Sequence, residues 1–424
     1  GTKKASGDNA NVSATPTGVG MPQQRVAITG MGIISALGAD LASNWSSLSQ
    51  GKPGIAPIQL VDTSNLRFQN GAEVREYDPV QHFQSNQLDF LDRFAQFALI
   101  AARQALADSG LKITPELAGK MAVVTGSCVG GQTSQDAGFV GLYQKNSPRV
   151  HPLLIPRTMA NAGASHISME FGIYGPVYTI STACASANHA IGNAFWMVRN
   201  GQVEAAITGG SEAPFSMGFL KAWEAMRVVS PDTCRPFSRD RKGLILGEGA
   251  GMLVLEPMEK ALARGARICG EIVGFGMSSD AGHITAPTTR GPAAAMRAAL
   301  LDAGVAPEQV GYINAHGTGT PANDQTETRA IREVFSKNAE RLAVSSTKSM
   351  HGHALGAAGA LEAVATVMAM REKMIPPTVN FTTPDPECDL DIVPNHARPG
   401  EIEFALSNSF AFGGLNAVLA FGKA

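Results

Sequence analysis

The chain has 424 residues, 44% of them hydrophobic, with a formal net charge of -2 at pH 7. That length can bury a large core in two or three domain-sized units. The charge balance offers no overall attraction to nucleic acid or an anionic membrane. No apolar run reaches the roughly 20 residues that span a bilayer, and no charged-then-apolar leader is visible, so a cytoplasmic protein is expected.

Residues 1–24 are rich in Gly, Ala, Ser, Thr and Asn without periodicity and read as a disordered leader, with Met21 a candidate start. From Arg25 onward, apolar β-like runs ("RVAITGMG", "MAVVTGS", "VYTIST", "EAAITGG", "GMLVLEP", "EIVGFG", "VGYINAHG", "LAVSSTKS", "NAVLAFG") alternate with helical patterns such as "DRFAQFALIAARQALADSG". The alternation indicates α/β layering. "GMGIIS" lacks the third glycine of a dinucleotide fingerprint, "GEGAG" lacks the Lys of a phosphate loop, and "GGSEA" ends in Ala where a nucleophile elbow has Gly; all three read as tight turns.

Laid against each other, the halves repeat. "VAITGMG" (26–32) echoes "IVGFGMS" (272–278), and "ALADSG" (105–110) echoes "ALLDAG" (299–304). "ISTACASANHAIG" (180–192) echoes "SSTKSMHGHALG" (345–356), which leaves the first half a longer insertion over about 131–178. Two copies of one α/β unit are expected, 25–267 and 268–424. Their small-residue helices would start at a shared pseudo-twofold axis, with Cys184 facing the Lys348–His353 loop.

The five cysteines, Cys128, Cys184, Cys234, Cys269 and Cys388, are odd in number and widely spaced, unlike a disulfide framework or a Cys-x-x-Cys zinc site. Free thiols are expected. If 183–194 is a helix, Cys184 lies in its first turn, where free N–H groups and the macrodipole would lower its pKa toward 7 or below. A cysteine so placed, facing two histidines, is a candidate nucleophile. "NAHGTGTPANDQTE" puts His316 at a strand end, followed by Thr318 and Thr320, and "STKSMHGHALGAAGALE" supplies Lys348, His351, His353 and Glu362. His351 and His353 have no third ligand near in sequence, which argues against a metal.

Together "TACAS", "NAHGTGTPANDQTE", "SSTKSMHGHALGAAGALE" and "NSFAFGG" resemble the β-ketoacyl-acyl carrier protein synthases, elongating condensing enzymes of the thiolase superfamily, from about Arg25 to the end. The sequence is most similar to the type II synthases of fatty acid synthesis and to ketosynthases of nodulation-factor and polyketide pathways, and "VSPDTCRPF" leans toward the latter. The resemblance implies an α/β fold, a five-layer αβαβα sandwich of two pseudo-symmetric halves, usually a homodimer and without cofactor. It implies that Cys184 takes an acyl chain from acyl carrier protein, with the N–H groups of Cys184 and Phe412 as oxyanion hole. His316 and His353 would stabilise the enolate formed as malonyl carrier protein loses carbon dioxide, Lys348 and Glu362 would support them, and Thr318 and Thr320 would contact substrate. A 3-oxoacyl chain two carbons longer results. The alternative is the active ketosynthase of a polyketide-type or specialised pathway, working with a chain-length-factor partner. A degradative thiolase would need a second Cys in the C-terminal glycine-rich loop, and "SFAFGG" has none.

The sequence departs from the family pattern at Ala411, where Gly is common before the gating Phe412, at Leu415 and at His351. "QSNQLDF" stands where relatives carry a basic run, which leaves Arg149 and Arg227 as candidates for carrier docking. Val129 in "GSCVGG" is the expected wall of the acyl pocket.

Overall fold

A computed structural model describes residues 23–424, so the leader expected over residues 1–24 lies, apart from its last two residues, outside the described residues. Among the described residues, each half contributes five strands to the main sheet. In the first they are β1 (Val26–Ser35), β2 (Met121–Gly126), β3 (Val177–Ile180), β4 (Ala205–Glu212) and β5 (Gly249–Pro257); in the second they are β6 (Gly270–Ser279), β7 (Val310–Asn314), β8 (Ala343–Ser345), β9 (Phe404–Ala411) and β10 (Leu415–Gly422). The spatial order is β3-β2-β4-β5-β1 in the first half and β8-β7-β9-β10-β6 in the second, the same order five strands on. Parallel and antiparallel pairings match as well: β2 lies parallel to β3 and β4, as β7 does to β8 and β9, and the remaining pairs are antiparallel. The two sheets are joined where Val26–Ile28 pairs antiparallel with Gly270–Ile272.

The helices repeat in the same way. α1 (Arg93–Ser109) and α5 (Arg290–Ala303) follow the first strand of each half, and α2 (Ala162–Phe171) and α6 (Pro321–Phe335) join the second strand to the third. After the third strand come α3 (Ser186–Arg199) and, beyond the single turn α7 (Lys348–His351), α8 (Ala358–Glu372); α4 (Met217–Met226) follows β4. α1 and α2 cover the outer face of the first sheet, α5 that of the second, and α3 and α8 lie between the sheets. The layers are therefore α, β, α, β, α.

Packing explains the composition of these elements. α8 is buried on all sides from Ala358 to Met370, which suits a helix apolar all round its surface. Small residues let the inner helices approach: a Cβ on Gly359 would meet Asn188 Oδ1 at 2.4 Å, and one on Gly192 would meet the Phe275 ring at 2.4 Å.

The three glycine-rich stretches expected to be turns are strand instead. "GMGIIS" completes β1, "GGSEA" runs out of β4 and "GEGAG" leads into β5. Their glycines are needed for close approach rather than chain reversal. A Cβ on Gly30 or Gly32 would lie 2.1 or 2.0 Å from carbonyl oxygens of α1 (Ala105 and Ala101), and one on Gly209 would lie 1.9 Å from Gly251 O. In the second half, Gly274 and Gly276 admit α5 in the same manner.

Candidate active site

The segments that follow the third strand of each half, and the second strand of the second half, deliver their side chains to the centre of the molecule. After β3 the chain turns through Ala183 at φ +50°, outside the usual range for a residue with a Cβ, and presents Cys184 just ahead of α3. After β7 comes His316, and after β8 come Lys348 on α7 and then His353. Cys184, His316 and His353 line one cavity of about 110 Å³, together with Thr318, Thr320, Trp223, Phe410, Ala411 and Phe412. The two imidazoles are perpendicular, with ring centroids 5.5 Å apart.

The hydrogen bonds set the protons of this pair. Lys348 Nζ donates to Glu362 Oε2 (2.7 Å) and to His316 O (2.7 Å), and lies 3.3 Å from His316 Nδ1. Leu355 N–H donates to His353 Nδ1 at 3.1 Å. Each Nδ1 faces a donor, so each neutral ring carries its proton on Nε2. Burial, reinforced by the charge of Lys348, holds both histidines well below the ordinary range, which keeps them neutral. Burial raises the Glu362 carboxyl to about 7 against the pull of Lys348.

The thiol departs from expectation. α3 begins at Ser186, so Cys184 lies before the helix rather than in its first turn. Burial pushes the thiol up to about 12, with Lys348 lowering it and the carboxylates of Glu212 and Glu362 raising it further. Removal from water outweighs the helix end, and the thiol rests protonated. Among the described residues, neither Cys184 N–H nor Phe412 N–H donates to a main-chain carbonyl.

Phe412 sits at the tip of the β9–β10 hairpin, its ring stacked on Trp223 at 6.2 Å and 26°. Gly413 (φ +86°) and Gly414 (φ +70°) supply the left-handed positions of this turn, and Ala411 closes the ladder opposite Leu415. Thr318 and Thr320 bond to each other through their hydroxyls at 2.8 Å. Val129 does not line the cavity; it is half-buried, with its N–H on Glu212. Arg149 is exposed in a separate cleft with His151 and Arg157. Arg227 is the exposed C-cap of α4, the helix that carries Trp223. His351 is buried behind the pair with both ring nitrogens engaged: Nδ1 on Gly352 O and Nε2 on the Thr347 hydroxyl, each at 2.8 Å.

Two buried carboxylates escaped the sequence reading. Glu327 accepts the N–H groups of His316 and Gly317 at 2.7 and 2.8 Å. Glu212 accepts those of Cys128 (2.7 Å), Val129 (3.2 Å) and Gly356 (2.9 Å) and the Ser127 hydroxyl (3.0 Å), and burial raises it to about 7. The available signal was an acid at the buried end of an apolar run, within "ITGGSE".

A thiol and two neutral imidazoles meeting between two like α/β halves define a condensing enzyme of thiolase-like fold. Residues 23–261 match the family described as beta-ketoacyl synthase, N-terminal domain, and residues 269–382 match beta-ketoacyl synthase, C-terminal domain. The chain belongs to the β-ketoacyl synthase family. It is 48% identical over 398 residues to Nodulation protein E of Rhizobium sp. (strain N33), covering 94% of this chain and 99% of that one. It is 45% identical over 411 residues to 3-oxoacyl-[acyl-carrier-protein] synthase 2 of Synechocystis sp., covering 95% and 99%. Among solved structures, the ishigamide ketosynthase/chain length factor superposes with a TM-score of 0.90 at 38% identity, covering 95% of this chain and 100% of that chain.

Proposed function

We propose that the chain lengthens acyl groups by decarboxylating Claisen condensation, with its chemistry divided between the two halves. Acyl carrier protein delivers an acyl thioester to Cys184. The thiol attacks the thioester carbon, the carrier's sulfur leaves, and the thiol proton goes to that sulfur, so a protonated resting Cys184 suits the exchange. The N–H groups of Cys184 and Phe412 receive the developing oxyanion. Malonyl carrier protein then binds. Its thioester oxygen accepts hydrogen bonds from Nε2–H of His316 and His353, which stabilise the enolate as the carboxylate leaves as carbon dioxide. The enolate carbon attacks the Cys184 thioester and expels the sulfur, giving a 3-oxoacyl carrier protein two carbons longer.

Lys348 fixes the His316 ring and Glu362 anchors Lys348. Thr318 and Thr320 contact the pantetheine arm, Phe412 gates the acyl pocket that Val129 bounds beyond it, and Arg149 and Arg227 meet the acidic carrier. The protein works as a cytoplasmic homodimer, in keeping with its five free thiols. Among the described residues, no helix is long and apolar enough to cross a membrane.

The observation that carries this reading is the shared cavity: thiol and histidine pair line one space, and both imidazoles hold Nε2–H donors. Intact mass spectrometry after incubation with carrier proteins bearing different chains tests it. One acyl mass is expected on the wild type and none on Cys184→Ala. Acylation that persists in the variant would overturn the assignment. The likeness to the ishigamide ketosynthase/chain length factor favours a second reading, an active subunit paired with such a partner, which native mass spectrometry of the purified chain distinguishes by whether a homodimer forms.

A further inference from the structure

Glu212 ends β4 with no exposed surface and, among the described residues, no cationic partner, whereas buried Glu248 has Arg93 and Glu362 has Lys348. Burying a carboxylate without a cation is costly, and here only hydrogen-bond donors compensate it. One of them, Gly356 N–H, comes from the other half of the molecule, at 2.9 Å. A Cβ on Gly356 would fall 2.5 Å from Glu212 Oε2 and 2.3 Å from Cys128 N, so this contact requires glycine.

The neighbouring Leu355 is held at φ +50°, a left-handed conformation that is unfavourable for a residue with a Cβ and persists only where its surroundings enforce it. In that conformation its N–H reaches His353 Nδ1 at 3.1 Å. The chain of contacts thus runs from Glu212 to Gly356, to the strained Leu355, to the imidazole.

We propose that Glu212 is a positioning residue for the condensation: by anchoring the Leu355–Gly356 turn it holds His353 with its proton on Nε2, toward the substrate. The inference rests on the role given to His353 above, but its test reads the ring itself. In histidine-labelled protein, nitrogen NMR of the wild type should show His353 as the Nε2–H form alone. Glu212→Ala releases the turn, so the His353 signals move to a mixture of tautomers. The turnover rate for malonyl decarboxylation falls, with KM within about twofold, but by less than the roughly 10²- to 10³-fold that outright loss of one oxyanion donor costs, because the imidazole is still present. Glu212→Gln keeps one carbonyl oxygen for Cys128 and Gly356 and can turn its amide to Ser127, giving up only the longer Val129 contact (3.2 Å), so it retains the tautomer and most of the rate. Glu212→Asp keeps the charge on a shorter side chain that cannot reach both loops, so it should show the same tautomer mixture and stands in for the Ala variant if that one does not fold. A folded Ala or Asp variant whose His353 stays wholly Nε2–H overturns the proposal, whatever its activity; a shift to mixed tautomers with decarboxylation unchanged would instead count against the role of His353.

Discussion

The junctions that follow β3 and β8 begin from one plan and end in different chemistry. In the first half, Ser181 to Ala185 suffice to enter α3, and the tight turn at Ala183 leaves a single reactive group, the Cys184 thiol, ahead of the helix. In the second half, Ser346 to Ala357 separate β8 from α8, and the added length folds into α7 and a turn bearing Lys348, His351 and His353. The loops after β2 and β7 repeat the contrast: buried Glu212 gathers the N–H groups of Cys128 and Val129, and buried Glu327 gathers those of His316 and Gly317. The frame is kept and the inserted loops differ, so one half can hold the acyl chain while the other handles developing charge.

That division can be broken most severely at the histidines. His316→Ala and His353→Ala should each lower malonyl decarboxylation by about 10²- to 10³-fold while Cys184 is still acylated, as labelled carbon dioxide release and intact mass would report. Parallel loss of acylation would mean the halves are not separable. The next largest effect concerns the thiol. With its folded pKa raised to about 12, Cys184 is protonated at neutrality and its thiolate fraction grows about tenfold per pH unit. Alkylation by iodoacetamide should therefore rise about 100-fold between pH 7 and 9; a plateau above pH 7 would restore the helix-lowered thiolate.

Smaller effects sharpen the comparison. His351 faces Thr347 and Gly352 rather than the cavity, so His351→Ala should cost about 2–4 kcal/mol in denaturant unfolding and leave decarboxylation within about threefold. An effect as large as that of His353→Ala would contradict its placement. Ala411→Gly should loosen the Phe412 hairpin, which belongs to the second half but covers the nucleophile of the first. Single-turnover acylation of Cys184 should quicken a few-fold, with decarboxylation within about twofold, a few tenths of a kcal/mol. Unchanged or slower acylation would make Ala411 a packing residue.

Much of this was legible in the sequence, because the repeat pairs fall on matching places. "VAITGMG" and "IVGFGMS" lie in β1 and β6, and "ALADSG" and "ALLDAG" end α1 and α5 at left-handed Gly110 and Gly304. Three features were not legible. Strand β9, "FALSNSFA", is buried on both faces and so shows no alternation, and its Ser and Asn residues weaken the β signal. The glycines of β1, β4 and β5 imitate turns because their purpose, contact with a helix or a neighbouring strand, depends on partners distant in sequence. The thiol's pKa follows from burial by both halves, which no local pattern around Cys184 records.

The central claim, that decarboxylation depends on the histidine pair of the second half and not on the thiol of the first, is tested most directly by carbon dioxide release from labelled malonyl carrier protein with Cys184→Ala. The variant should remain folded, form no 3-oxoacyl product and still release carbon dioxide at a measurable rate through His316 and His353. Release that vanishes with the thiol, in protein that is still folded, would contradict the account.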